Sequence, residues 1–160
     1  MTKNPYKRLV KEVLTRETIS VHADATLDEA LRLMVGNRVS ALPIVDREGG
    51  CQGIMSTTDV MDLVMELDDE LHDLGRVAEE STQWLIDKLS DHDLTRRTVQ
   101  EVMTTSVMSI SGDETLLAAA QQMVQHHVHR LPVTNGKGQL MGIVSTIDVL
   151  RAFVAGAPGE

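Results

Sequence analysis

Gly53-Ile54-Met55-Ser56-Thr57-Thr58-Asp59 returns 89 positions later as Gly142-Ile143-Val144-Ser145-Thr146-Ile147-Asp148. Working outward from this pair, Glu12 to Val64 aligns with Glu101 to Phe153 at the same offset without a gap, and about twenty of the paired residues are identical. They include Val13/Val102, Thr15/Thr104, Asp24/Asp113, Thr26/Thr115, Leu42/Leu131 and Pro43/Pro132. Self-similarity over such a length marks a tandem duplication, so each element read in one copy is checked by the other.

In the first copy, the β-branched stretch Ile19 to Val21 predicts a short strand. Thr26-Leu27-Asp28-Glu29 then predicts a helix start, because a hydroxyl and a carboxylate three residues apart satisfy the free N–H groups of a first turn. That helix places Leu27, Ala30, Leu31 and Met34 on one face. Leu42-Pro43-Ile44-Val45 predicts a second strand, Asp46 to Gly50 its turn and Gln52 to Met55 a third. Ser56 caps a second helix with Val60, Leu63, Val64 and Leu67 on its apolar side. The second copy repeats the order: strand Ser109 to Ser111, helix from Thr115, strand Leu131 to Thr134, turn Asn135-Gly136-Lys137-Gly138, strand Leu140 to Val144, helix from Ser145. The expected fold class is α/β (α+β), with two β-α-β-β-α repeats packed about a pseudo-twofold axis, since a small sheet with helices on one face leaves apolar surface to be covered.

The expected organisation is an N-terminal segment 1–10, repeat one at 11–65, a helical insert at 66–98, repeat two at 99–154 and a tail at 155–160. Leu67, Leu71, Leu74 and Ala78 have helical spacing, and a second helical stretch is expected around Trp84, Leu85 and Leu89. Residues 65–98 hold 10 acids against 4 bases, a large share of the chain's net charge of −9. The insert reads either as a solvated helical hairpin or as a docking surface for a partner or a second protomer.

Composition removes several function classes. Among 160 residues there is one cysteine, Cys51, which excludes an internal disulfide and a multi-cysteine zinc site and is expected to act as a small buried hydrophobe. Net acidity and 2% aromatic content leave little for phosphate tracking or base stacking, so no nucleic-acid partner is expected. No run approaches the roughly 20 apolar residues of a membrane span, and the N-terminus lacks an apolar leader, so a cytoplasmic protein without a membrane partner is expected. Walker and Rossmann glycine patterns are absent and no nucleophile–base pair stands at a telling spacing, so no catalytic residues are assigned and the chain is not expected to be an enzyme. His126, His127 and His129 straddle a predicted helix end and strand start with no i, i+4 pair, and no metal is expected there. Met34, Met61, Met65 and Met123 read as packing.

The chemistry left is at the two duplicated helix starts. A helix N-terminus presents unpaired N–H groups and partial positive charge to an anion, and a neighbouring carboxylate can accept from a ribose diol. Gly53 and Gly142 permit close backbone approach. Ser-x-x-Asp is equally a capping box, in which Asp59 and Asp148 serve only their own backbone, and both readings stand at this point.

Taken together, Val102-Met103-Thr104, the strands Leu42-Pro43-Ile44 and Leu131-Pro132-Val133, and the two Gly-x-x-Ser-x-x-Asp ends resemble a tandem cystathionine-β-synthase-type (CBS) domain pair, or Bateman module, over about residues 9 to 155. The resemblance implies a regulatory module without a catalytic cofactor. It implies an adenosyl ligand (AMP, ADP, ATP or S-adenosylmethionine) held in clefts between the repeats, association into a homodimer, and an unidentified protein target. It implies one cleft built from Ile54, Ser56, Thr58 and Asp59 with Met108, Val128, His129, Arg130 and Pro132. A second would be built from Ile143, Ser145 and Asp148 with Ile19, Val39, Ser40, Ala41 and Pro43. The run His129-Arg130-Leu131-Pro132-Val133 is similar to the phosphate-binding run of adenylate-sensing relatives. A guanidinium suits that role as a permanent bidentate fork. Ser40-Ala41 replaces the basic pair in the second cleft, so weaker phosphate affinity is expected there.

Overall fold

The computed structural model describes residues 4–16, 19–67, 90, 94–103 and 108–156. In repeat one, β1 (Val21–His22), β2 (Ala41–Val45) and β3 (Cys51–Ser56) form a three-stranded sheet in that order, with α1 (Leu27–Asn37) and α2 (Thr57–Leu67). After the short helix α3 (Val99–Val102), repeat two places β4 (Ile110–Ser111), β5 (Arg130–Thr134) and β6 (Leu140–Ser145) in a second sheet of the same order, with α4 (Leu116–His126) and α5 (Thr146–Ala155). β1 pairs parallel with β2, and β4 parallel with β5, while β5 and β6 are antiparallel. The β-α-β-β-α order of the sequence is therefore present in both repeats. β1 lies later than its β-branched signal, pairing Val21 with Ile44 and His22 with Val45. The insert's expected helices, beyond Leu67, lie outside the described residues, as does Thr104.

The local chemistry explains the elements. Thr26 accepts from the Glu29 N–H at 3.2 Å, and Glu29 accepts from the Thr26 N–H at 2.9 Å, closing the box at the start of α1. Thr115 accepts from the Ala118 N–H at 3.2 Å at the matching start of α4. Leu27, Ala30, Leu31 and Met34 are all buried, as their spacing predicts. Both helices end on a left-handed residue, Arg38 at φ +54° and His127 at φ +55°, again at matching positions. Such a C-terminal turn favours glycine, because a Cβ crowds the carbonyl there. Replacing either residue, Arg38→Gly or His127→Gly, is expected to raise stability by about 0.5–1 kcal/mol, read as a higher urea midpoint with an unchanged slope.

The chain packs as two units, and neither is contiguous. One takes the described residues of 1–18, 48–51 and 108–160, the other those of 19–47 and 52–107. The segment ahead of each repeat thus packs in the unit of the other. In the first unit, the N-terminal strap donates from Val10 to the Glu114 carbonyl (2.8 Å) and from Lys11 to Gly112 (2.9 Å), and the Arg8 carbonyl accepts from Leu116 (2.8 Å). Thr15 and Ile143 then exchange two backbone bonds, of 2.9 and 3.2 Å. Val10 and Leu14 are buried among Leu116, Leu131 and Val144. A Cβ on Gly142 would overlap the Thr15 carbonyl, so this glycine is what lets the strap lie so close.

In the second unit, residues 94–103 strap repeat one by the same plan. Arg97 accepts from Leu27 (2.9 Å), Val99 donates to Ala25 (2.8 Å) and Gln100 donates to Ala23 (3.0 Å), with Leu94 and Val99 buried in its core. Arg8, Val10 and Lys11 correspond to Arg97, Val99 and Gln100 at the 89-residue offset, so the duplication includes its straps. Cys51 is half-buried rather than buried. Its N–H donates to the Gly138 carbonyl at 3.1 Å, beside a bridge between Gly50 and Gln139. Met34, Met55 and Met123 are core residues.

Candidate functional site

At the start of α2, Ser56 Oγ accepts from the Asp59 N–H at 3.3 Å, while Asp59 Oδ2 accepts from the Ser56 N–H at 2.7 Å and from the Ser56 hydroxyl at 2.9 Å. At the start of α5, Ser145 and Asp148 repeat the pattern at 3.3, 2.8 and 2.8 Å. The capping box is formed in both repeats. It engages one carboxylate oxygen of each aspartate, and among the described residues Oδ1 of Asp59 and of Asp148 takes no hydrogen bond. A half-buried carboxylate held by one oxygen keeps the other as an acceptor, so capping and ligand binding are compatible uses of the same residue. Losing the cap by Asp59→Ala or Asp148→Ala is expected to lower stability by about 1 kcal/mol each, seen as a reduced midpoint of thermal or urea unfolding.

Each helix start is tied to the residue just ahead of the neighbouring strand. Thr57 donates its N–H to the Ser40 carbonyl at 3.0 Å, and Thr146 donates its N–H (2.9 Å) and its hydroxyl (3.1 Å) to the His129 carbonyl. The sequence reading missed this role of Thr57 and Thr146, although their identity in both copies was a signal for it.

Repeat one therefore brings exposed Ser40 and buried Ala41 and Pro43 beside Ser56, exposed Thr58 and Asp59, with Ile19, Val39 and Ile54 half-buried. Repeat two brings exposed His129, half-buried Arg130 and buried Pro132 beside Ile143, Ser145 and Asp148. Arg130 is the cross-strand partner of Ser145, and Pro132 of Ile143. Met108 and Val128 are half-buried against the repeat-two core. The two lips differ at three points: His129-Arg130 stands where repeat one has Ser40-Ala41, Ile147 where it has Thr58, and Met108 where it has Ile19.

His126, His127 and His129 are exposed, and among the described residues no group of three or more His, Cys, Asp or Glu side chains is placed to hold a metal ion. No helix among those residues is long and apolar enough to cross a membrane.

The family model for the CBS domain matches residues 10–66 and again residues 99–155. The chain belongs to the CBS-domain family. An uncharacterised protein of Methanocaldococcus jannaschii is 28% identical over 154 residues, a match covering 91% of each chain. Among solved structures, CBSX2 of Arabidopsis thaliana in complex with AMP is similar at 26% identity and a TM-score of 0.69, covering 91% of this chain and 96% of that one. The CBS domain pair of protein MJ0100, solved with 5′-methylthioadenosine and S-adenosyl-L-methionine, shares the fold at 23% identity and a TM-score of 0.67, covering 94% and 99%. In enzymes that carry a similar segment, it makes up about a quarter of the length (23–24%). The two CBS repeats of this chain thus correspond to a CBS pair over nearly its whole length.

Proposed function

We propose that this CBS pair is a non-catalytic regulatory module that binds an adenosyl ligand of the AMP class and passes the bound state to a protein interface. The observation that carries this reading is the half-used carboxylate at each helix start. Asp59 Oδ1 is the acceptor for a ribose diol. Ser56, Thr58 and the first-turn N–H groups of α2 face the phosphate, with Ile54 beside the ring. Met108, Val128, His129, Arg130 and Pro132 of repeat two complete that site. The second site, with Ile143, Ser145 and Asp148 joined by Ile19, Val39, Ser40, Ala41 and Pro43, takes Ser40-Ala41 from repeat one in place of a basic pair and binds a less anionic adenosyl compound. The complex of CBSX2 with AMP supports the ligand class. The module works in the cytoplasm and acts on an unidentified protein target.

Ligand-stripped protein titrated with AMP, ADP, ATP and S-adenosylmethionine tests this. Saturation at about 100 times Kd adds about 2.7 kcal/mol to stability, which for a chain of this size raises Tm by roughly 5–10 °C. Asp59→Asn keeps a capping oxygen but presents an amide to the diol, and it is expected to weaken AMP binding while leaving the melting point of the free protein nearly unchanged. Arg130→Ala is expected to weaken AMP more than it weakens adenosine. Absence of heat and of any melting shift with all four compounds would instead favour a ligand-free scaffold.

A further inference from the structure

Asn135-Gly136, in the turn joining β5 to β6, is a reactive dipeptide held in a fixed frame. Asn135 follows β5 directly and is half-buried, whereas Gly136, Lys137, Gly138 and Gln139 are exposed to water. Asn135 Oδ1 accepts from the Lys137 N–H at 2.9 Å and from the Gln139 N–H at 3.0 Å, and its Nδ2 donates to Gln139 Oε1 at 3.1 Å. Gln139 Nε2 in turn donates to the Glu48 carbonyl at 3.3 Å. Among the described residues the Gly136 N–H donates no hydrogen bond, and a Cβ at Gly136 would meet nothing within 4 Å.

These features meet the needs of one reaction, the attack of a backbone amide nitrogen on the side-chain amide that precedes it. The nitrogen has to be unengaged and sterically open, and Gly136 meets both conditions. Attack turns Oδ1 into an oxyanion, and two N–H donors already lie at distances that stabilise one. In acyl-transfer sites one such donor is worth roughly a hundredfold in rate, which offsets the restraint that an ordered turn imposes. The other asparagines, Asn4 and Asn37, lack these conditions. Asn4 precedes Pro5, which has no N–H to give up. Asn37 precedes the bulkier Arg38, whose N–H donates to the Val35 carbonyl at 3.3 Å, and its own amide donates to Leu33 at 2.8 Å.

We propose that Asn135 is a self-modifying site. The Gly136 nitrogen bonds to Asn135 Cγ and gives its proton to water, while the Cγ–Nδ2 bond breaks and Nδ2 leaves as ammonia, taking a proton from water. Water then opens the cyclic imide at either carbonyl, giving aspartate or isoaspartate. The aspartate form is what repeat one already carries. At the 89-residue offset Asn135 and Gly136 match Asp46 and Arg47, and both turns use a left-handed glycine, Gly49 at φ +82° and Gly138 at φ +75°. The isoaspartate form is foreign to the turn, because it puts the residue's Cβ into the main chain. Either product loses the amide that orients Gln139 toward Glu48. The turn also pairs with its counterpart from repeat one, through Cys51 N–H to Gly138 at 3.1 Å and Leu140 N–H to Gly49 at 3.0 Å. Lengthening the main chain loosens that pairing, so the turn records the age of the molecule.

The test is to keep fresh full-length protein for days at mildly alkaline pH and physiological temperature, then digest it for mass spectrometry. The parent is expected to exchange NH2 for OH in the peptide holding residue 135, to release ammonia, to become a substrate for isoaspartate methyltransferase, and to leave Asn37 intact. Gly136→Ala, whose methyl crowds the attacking nitrogen, should convert at least about tenfold more slowly. Conversion in the native chain should be at least as fast as in the chain unfolded in urea, which has no donors fixed around Oδ1. The amides of Cys51 and Leu140 should exchange faster in aged parent than in fresh protein, and in aged Gly136→Ala they should not. An Asn135 amide that persists, conversion indifferent to Gly136→Ala, conversion that speeds up on unfolding, or converted protein whose Cys51 and Leu140 amides stay protected would overturn the proposal.

Discussion

Deletion of the first sixteen residues is expected to unfold the repeat-two unit, although the deletion removes no residue of repeat two's own sheet or of α4 and α5. The strap places Val10 (0% exposed) and Leu14 (8%) in that core. Burying two such side chains is worth about 3–6 kcal/mol. Whole domains are stable by only about 5–15 kcal/mol, so a loss of that size takes much or all of the margin. The backbone of Gly112, Glu114 and Ile143 would lose its partners as well. Loss of the cooperative unfolding transition, with gain of dye binding to exposed apolar surface, is the expected readout, and a shortened chain that melts like the parent would refute the account. A milder probe, Leu14→Ala, is expected to cost about 2–4 kcal/mol and to keep the unit folded.

Gly142→Ala should have the next largest effect, although it adds a single methyl group. That group would overlap the Thr15 carbonyl and come within 2.6 Å of Leu14 Cδ1. The Leu14 side chain can turn, but the nearest obstacle is the Thr15 backbone carbonyl, which cannot, so the strap must lift from β6. The two bonds between Thr15 and Ile143 are then lost and Leu14 leaves its pocket, a cost of about 3 kcal/mol and a fall in Tm of roughly 10 °C. Gly136 supplies the control: a Cβ there meets nothing within 4 Å, and Gly136→Ala should change stability little. Hydrogen exchange resolves the cause, since lifting the strap should expose the amides of Val10, Lys11 and Thr15 before those of β5.

The element order was legible because it rests on local chemistry written twice. Thr26-x-x-Glu29 and Ser145-x-x-Asp148 name their helix starts, and the buried set Leu27, Ala30, Leu31 and Met34 follows from a 3.6-residue period. The straps were not legible. Residues 4–16 carry no periodic pattern of their own, and their partners lie about 100 positions away, where neither propensity nor spacing reaches. Their trace was the offset itself, at which Val10, Val13 and Thr15 match Val99, Val102 and Thr104. At the helix starts, motif alone left capping and binding as rivals. The hydrogen bonds show that the cap occupies one oxygen of each aspartate, a distinction of atoms that a sequence of residues does not carry. Cys51 was read as buried from its place in a strand; its bond to Gly138, at the rim of a hairpin turn, accounts for its partial exposure.

Exchange of straps sets an order of events during synthesis. Val10 leaves the ribosome early, yet the surface that shelters it includes Val144 and Val149, which emerge roughly ten seconds later at ordinary elongation speed. Through that interval Val10 and Leu14 have to remain without the core that covers them. Repeat one is likewise incomplete until Val99 has been made. Neither unit can therefore mature in the order in which it is translated, since the segment around Val10 must wait for Val144 and Val149.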